Sequence, residues 1–334
     1  MSYAPRSILA IDTSPFGRSL SLLPSVRALR AAYPKTFIAV AANCGVSELL
    51  TAQKLVDEVI DLGNIRTGEQ GPGASLKRVV QLVRRARKDD FDLVLDFSPR
   101  LETQALARFF LKGRVITPSK LSNILDSLLG RKGRGWRASD HRSECESVLS
   151  QLGLRGQESG PLIEVPEDEH AKFEQNLERH GSRGGEPIVI LHAANAGEAF
   201  GWPVEHFAEL AARLVSNYGA RIVAVDDPAS DSFTGAVGKL LPGKGIKMGA
   251  PRALELAAAC ARGSIVVTDD SGLAALCETV GTPVIELADA PALSNSRSHR
   301  VVQGSSRGRI EVEEVYSLAC ELLQESRTVS LFHR

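Results

Sequence analysis

The chain has 334 residues, enough for two α/β domains of ordinary size. Apolar residues make up 43% and charged residues 24%, as in a globular protein, and 40 basic side chains balance 40 acidic ones, which argues against a general nucleic-acid binder. No stretch approaches the roughly 18–20 apolar residues of a membrane span. The opening MSYAPRSILAID lacks the cleavage site of a signal peptide.

From the N-terminus, strand and helix patterns alternate. Residues 7–12 read as a short buried strand. Residues 20–32 read as a helix, with Leu22, Leu23, Val26, Leu29 and Ala32 at helical spacing. Strands are expected at 36–41, 57–62, 93–96 and 114–117. Helices are expected at 75–87, entered through Gly71-Pro72-Gly73, and at 101–111. Between 153 and 186 the regularity breaks into a turn, a polar helix and a glycine-rich hinge. The pattern then restarts, with strands at 187–192, 221–226, 246–248, 264–269 and 283–287. Helices are expected at 204–218, 231–241, 253–261, 272–280 and 311–324. Such alternation implies parallel sheets covered on both faces. We therefore expect a Rossmann-like domain over 1–155, a linker over 156–186 and a second Rossmann-like domain over 187–334, whose last helix could pack back on the first domain. Open α/β sheets bind ligands at the carboxyl ends of their strands, so two facing domains would hold two substrates across a cleft.

Cys44, Cys145, Cys260, Cys277 and Cys320 form no CxxC pair. They suggest buried, reduced thiols and a cytoplasmic protein rather than a zinc site or a disulfide framework. His141, His192 and His206 show no metal-ligand spacing. Four segments could carry chemistry. In VVTDDSGLAA a buried strand runs into Asp269-Asp270-Ser271-Gly272 and a helix. That turn is either an ordinary capped connection or a phosphate site built from outward N–H groups. In IDTSPFGRSL, Gly17 permits close backbone approach, while Asp12 and Arg18 are either a structural salt bridge or functional charges; the loop is neither a GxGxxG fingerprint nor a Walker A loop. In NAGEAFGWPVEHF, Trp202 either packs under a base or sugar or seals its helix against the sheet. In KLSNILDSLLGRKGRGWR an apolar helical face is flanked by Lys120, Arg131, Lys132, Arg134 and Arg137. That segment suits either packing on its own domain or peripheral contact with an anionic membrane. With the basic run from Lys77 to Lys88, it would place positive charge on the N-terminal half, suited to an acidic acceptor.

In order and spacing these pieces resemble glycosyltransferase family 9, the lipopolysaccharide heptosyltransferases of bacteria. The resemblance runs through SILAIDTSPFGRSLSLLPSVRALRAAYP, FDLVLDFSPRLETQALARFF, HRSECESVLSQLGL, GWPVEHFAELAARL and ALELAAACARGSIVVTDDSGLAALCETVGTPVIEL. It implies a GT-B architecture of two Rossmann-like domains facing across a cleft. It also implies an inverting transfer without a metal ion, from a nucleotide-sugar co-substrate (ADP-heptose in the best-known members) to a lipid-linked acidic glycan. The enzyme would need no cofactor, bind no nucleic acid and work in the cytoplasm, peripheral to the inner membrane. The donor would sit against Asp270, Ser271, Gly272 and Leu273, with Asp231 facing the nucleoside and Ala194, Asn195 and Trp202 nearby. The acceptor would lie at Ser14, Gly17 and Arg66. The chain departs from the family at four places. Gly17-Arg18 replaces a Gly-Asp pair whose Asp is thought to be the general base, and Asp12 replaces a basic residue. Gly201 replaces a basic residue before Trp-Pro, and Ala275 replaces a His. We therefore expect Asp12 to serve as the base with Arg18 as its partner or an acceptor clamp. The competing expectation is a degenerate nucleotide-sugar-binding protein of the same fold. A Rossmann oxidoreductase is disfavoured, since no GxGxxG follows either domain's first strand.

Overall fold

A computed structural model describes residues 4–63, 90–98, 113–118, 138–156, 162–182, 184–194, 201–226, 232–240, 245–288, 298–304 and 310–332. The expected helices at 75–87 and 101–111 and the basic segment at 120–137 lie outside these residues, as do Arg66, Asn195 and Asp231. The chain divides into two units, Met1–Gly160 and Pro161–Arg334.

In the first unit β1 (Ser7–Ile11) runs into a short helix α1 (Phe16–Ser19), one 3-10 turn and α2 (Leu23–Ala32). The chain is thus helical from Phe16, earlier than the apolar spacing alone suggested. There follow β2 (Phe37–Ala42), α3 (Cys44–Ala52), β3 (Glu58–Asp61), β4 (Leu93–Asp96), β5 (Arg114–Ile116) and α4 (Ala138–Ser150). All pairings are parallel, in the order β3-β2-β1-β4-β5. Leu9, Ile11, Ala39, Ala41, Ile60 and Val94 fill one face of the sheet. Their alternate neighbours Ile8, Ala10, Ile38 and Val40 are also fully buried, so both faces are covered. Asn43 starts α3, a helix the sequence reading did not contain, by accepting a hydrogen bond from the Gly45 N–H.

The second unit opens with α5 (Glu167–Arg179), the polar helix expected in the linker. It packs against α8 (Ala253–Arg262) through Phe173 and Leu177, and through ion pairs of Glu169 with Arg252 and Glu174 with Arg262. The rest follows as β6 (Ile188–His192), α6 (Val204–Tyr218), β7 (Arg221–Val225), α7 (Ser232–Leu240), β8 (Gly245–Met248), α8, β9 (Ile265–Thr268), α9 (Ser271–Val280), β10 (Val284–Ala288), β11 (His299–Gln303) and α10 (Val312–Phe332). Its sheet is again all parallel, ordered β11-β10-β9-β6-β7-β8. This is the doubly wound order in which the winding reverses between the first and fourth strands. In α6, Phe207, Leu210, Ala211 and Leu214 make one buried stripe, and Gly219 ends the helix at φ 64°, a conformation glycine adopts without strain. The apolar side of α10 packs here through Val315, Ala319, Leu322 and Leu323, with Arg213 paired to Glu313.

The edge strand β11 is fastened by His299, whose Nδ1 lies 2.7 Å from Glu278 Oε1 of α9 and whose Nε2 lies 2.9 Å from Glu286 Oε2 of β10. Burial alone would favour the neutral ring. The two carboxylates outweigh it and push the pKa up to about 9. A raised folded pKa adds stability that is complete below the unfolded value near ~6.5 and is lost as pH rises through about 9. Denaturation midpoints across that range should therefore fall in the native chain and stay flatter in His299→Asn. Parallel pH curves for the two would show that the imidazole carries no such linkage.

Candidate functional site

In each unit the sheet reverses its winding at one pair of strands, β1/β4 and β6/β9, the position at which open α/β sheets take their ligands. In both units a side chain ties together the two loops that leave these strands. In the first, the Thr13 N–H donates to Ser98 Oγ at 2.9 Å, and the Ser98 N–H donates to Asp96 Oδ1. In the second, the Ala194 N–H donates to Asp269 Oδ1 at 2.7 Å, so the loop after β6 is hung on the loop after β9. Beneath it, His192 at the end of β6 meets Thr268 of β9, Nδ1 to Oγ1, at 3.1 Å.

Buried charges gather behind the end of β1. Asp12 follows β1 and is wholly buried. Its Oδ1 accepts from the Ser14 N–H (2.9 Å) and its Oδ2 from Ser19 Oγ (2.7 Å), and His141 Nε2 of α4 lies 3.2 Å from the same Oδ2. The other ring nitrogen of His141, Nδ1, is 3.2 Å from Glu144 Oε2, and Arg18 stands 4.0 Å from that same oxygen. Burial alone would raise the Asp12 pKa. The charge and hydrogen bond of His141 reverse this and hold the carboxyl far below its usual range. Such a carboxylate is a poor proton acceptor, and none of its oxygens reaches solvent. This geometry does not suit the general-base role expected for Asp12. Nor is Arg18 its direct partner: Arg18 pairs with Glu144, and His141 stands between the two acids. Of the expected acceptor residues, Ser14 is buried with its N–H engaged by Asp12, and Gly17 lies within α1.

In the second unit Asp270 caps α9, accepting from the N–H groups of Gly272 (2.9 Å) and Leu273 (3.2 Å). The expectation that these amides point outward is therefore corrected: their own cap occupies them, and Leu273 is buried. Ser271, in the first helical position, is exposed. Trp202 also takes the other of its two expected roles. Its ring is buried edge-on against Phe207, at 4.6 Å between centroids, and Nε1 donates to the Ile310 carbonyl at 2.9 Å. It belongs to the core under α6 and cannot stack on a base there.

The sequence reading missed His141 and Glu144 as a pair because histidines were searched for metal spacing. The legible signal was an acid three residues after a histidine, which puts both on one helical face. The tying roles of Asp269 and Ser98 were not legible because a loop tie leaves no spacing pattern. Among the described residues there is no group of three or more His, Cys, Asp or Glu that could hold a metal ion, and no helix long and apolar enough to cross a membrane.

The model of glycosyltransferase family 9 (heptosyltransferase) matches residues 79–288, well over half of the chain. The chain belongs to this family. The family 9 chain is accordingly a heptosyltransferase-family glycosyltransferase, and the resemblance read from its motifs holds. A search of curated proteins finds no match. Solved structures share the fold. A family 9 glycosyltransferase from Veillonella parvula DSM 2008 is 19% identical with a TM-score of 0.74, over 96% of this chain and 97% of that one. The E. coli heptosyltransferase WaaC, solved with ADP-2-deoxy-2-fluoro heptose, is 19% identical with a TM-score of 0.68, over 94% and 99%. E. coli ADP-heptose lps heptosyltransferase II is 17% identical with a TM-score of 0.68, over 96% and 99%. These likenesses establish the GT-B fold class for the family 9 chain.

Proposed function

We propose that this glycosyltransferase moves a heptose-like sugar from an ADP-sugar to an acidic, lipid-linked glycan of the lipopolysaccharide type, inverting the anomeric centre without a metal ion. The observation that carries the donor half is the winding reversal of the second unit's doubly wound sheet between β6 and β9, where Ala194, Asp269, Asp270 and Ser271 follow the strand ends. The same fold in WaaC was solved with ADP and with a fluorinated ADP-heptose. In the transfer the acceptor oxygen bonds to the anomeric carbon as the bond to the diphosphate breaks, and the acceptor proton passes to a base. A lipid-linked acceptor would be met at the inner membrane surface, on its cytoplasmic side.

Calorimetry with ADP-, UDP- and GDP-sugars tests the donor, and sugar transfer to a panel of acidic glycans in the presence of EDTA tests the rest. We expect ADP-sugars to bind at least about tenfold more tightly than the others, with ADP released during transfer in EDTA. Equal or absent binding would reject the donor assignment. Turnover abolished by EDTA and restored by magnesium would reject metal independence. Tight binding with no transfer to any acceptor would leave a nucleotide-sugar-binding protein instead.

A further inference from the structure

Two polar side chains meet where the second sheet reverses its winding. His192 ends β6, Thr268 ends β9, and the two are register partners. The imidazole Nδ1 lies 3.1 Å from Thr268 Oγ1, and the same hydroxyl oxygen accepts from the Asp270 N–H at 3.0 Å. Thr268 is 0% exposed and His192 5%.

The buried hydroxyl decides which ring nitrogen carries the proton. Oγ1 accepts from Asp270, so its own proton needs an acceptor, and among the described residues Nδ1 is the acceptor within reach. A proton on Nδ1 would leave the hydroxyl with nothing to donate to, the penalty of an unmade buried hydrogen bond. Nδ1 therefore takes the Thr268 proton, and the ring's own proton sits on Nε2. Nε2 has no partner among the described residues, and it is not one of their polar atoms sealed from solvent without a partner. The ring thus ends in a fixed N–H donor at the strand end, open to solvent.

The neighbouring donors are engaged. Asp270 occupies the Gly272 and Leu273 amides, Asp269 holds the Ala194 amide, and Thr268 holds the Asp270 amide. Gly201 and Ala275, this unit's two departures from the family pattern, have no side-chain donor to offer. A diphosphate leaving group gathers negative charge as its bond to the sugar breaks, and a donor already held in place needs no reorganisation at that moment.

We propose that His192 donates its Nε2–H to a diphosphate oxygen of the nucleotide-sugar, with Thr268 as the positioning residue that fixes the tautomer. This rests on the transferase reading above and names the side chain that meets the leaving group.

The test uses the full-length chain, isotope-labelled at histidine, at about pH 8, where an ordinary imidazole is neutral. It is titrated with ADP, UDP and GDP and with the matching nucleosides. We expect His192 to show a bare Nδ1 and a protonated Nε2. The Nε2 resonance, assigned through bonds from its backbone, should move with the nucleoside diphosphate that binds tightest and not with its nucleoside. His192→Asn keeps an acceptor near the Nδ1 position and removes Nε2. Affinity for that diphosphate should fall about tenfold or more, with the nucleoside's unchanged. His192→Gln, whose amide reaches the Nε2 position, should recover part of the loss. A merely structural histidine would move both ligands together or neither. If neither variant folds, the resonances of the native chain decide. A proton on Nδ1, an Nε2 resonance indifferent to the diphosphate, equal diphosphate affinity in folded His192→Asn, or no recovery in folded His192→Gln each overturns the proposal. Failure of all three diphosphates to bind the native chain sinks the transferase reading and this inference with it. Binding beside an indifferent His192 sinks this inference alone.

Discussion

Replacing His141 with alanine should destabilise the N-terminal unit by about 3–5 kcal/mol, because it strands the buried carboxylates of Asp12 and Glu144 with their central counter-charge removed. Hydrogen exchange of the buried β1 and β2 amides across a urea series follows unfolding of the first unit. The loss should depend on pH in a defined direction. The Asp12 pKa is depressed on folding, so its stabilisation is present above its unfolded value near ~3.9 and fades as pH falls. The His141 pKa is pushed up on folding, to about 12, against the pull of burial and by the charge of Asp12. Its stabilisation is complete below ~6.5 and is lost gradually as pH rises toward the folded value. The alanine variant should therefore fall further below the native chain at about pH 6 than at about pH 9. A cost under ~1 kcal/mol at both would mean that the cluster is solvated and contributes little. Asp12→Asn probes the same cluster from the other side. It leaves His141 paired with Glu144, so it should cost less stability and leave turnover of the folded protein near native. Loss of turnover in well-folded Asp12→Asn would restore Asp12 as the base.

Trp202→Ala should cost the C-terminal unit a further ~3–5 kcal/mol, since it empties a fully packed position between Phe207 and the last helix's entry. Trp202→Phe keeps most of that volume and forfeits one buried hydrogen bond to Ile310, worth ~0.5–1.5 kcal/mol. The decisive comparison is nucleotide affinity in the phenylalanine variant. A core tryptophan leaves ADP binding unchanged there, read by calorimetry well below the unfolding transition. A drop of about tenfold or more would return the indole to the donor site.

Much of the architecture was legible because the chain is locally consistent. Runs such as IVILH and RIVAV are buried on both faces, and Val204–Tyr218 shows a clean helical stripe bounded by Pro203 and Gly219. What escaped was short or decided by tertiary context. The helix Cys44–Ala52 is short, its apolar Val46, Leu49 and Leu50 fall at helical spacing but span little more than one turn, and its start depends on the Asn43 cap. β11 is an edge strand whose place is fixed by His299 reaching back to Glu278 and Glu286. At the candidate site the chain order exposed Asp12, Arg18 and Asp270 as notable residues, but not whom they face. Asp12 meets His141 across 129 positions, a pairing no local spacing encodes. Asp270 turned out to satisfy its own helix, since an N-cap and an anion site share one sequence signature.

The ties from Ser98 to Thr13 and from Asp269 to Ala194 have a kinetic consequence. Each fastens the loop after one central strand to the loop after its neighbour, so their spacing is set during folding rather than at encounter. Ordering a mobile side chain on association costs ~0.5–1.5 kcal/mol, and here that expense falls outside the binding event. A ligand arriving at either pair of loops would meet them already tied together. Asp269→Ala, by freeing the loop after β6, should then be felt as slower capture rather than altered chemistry.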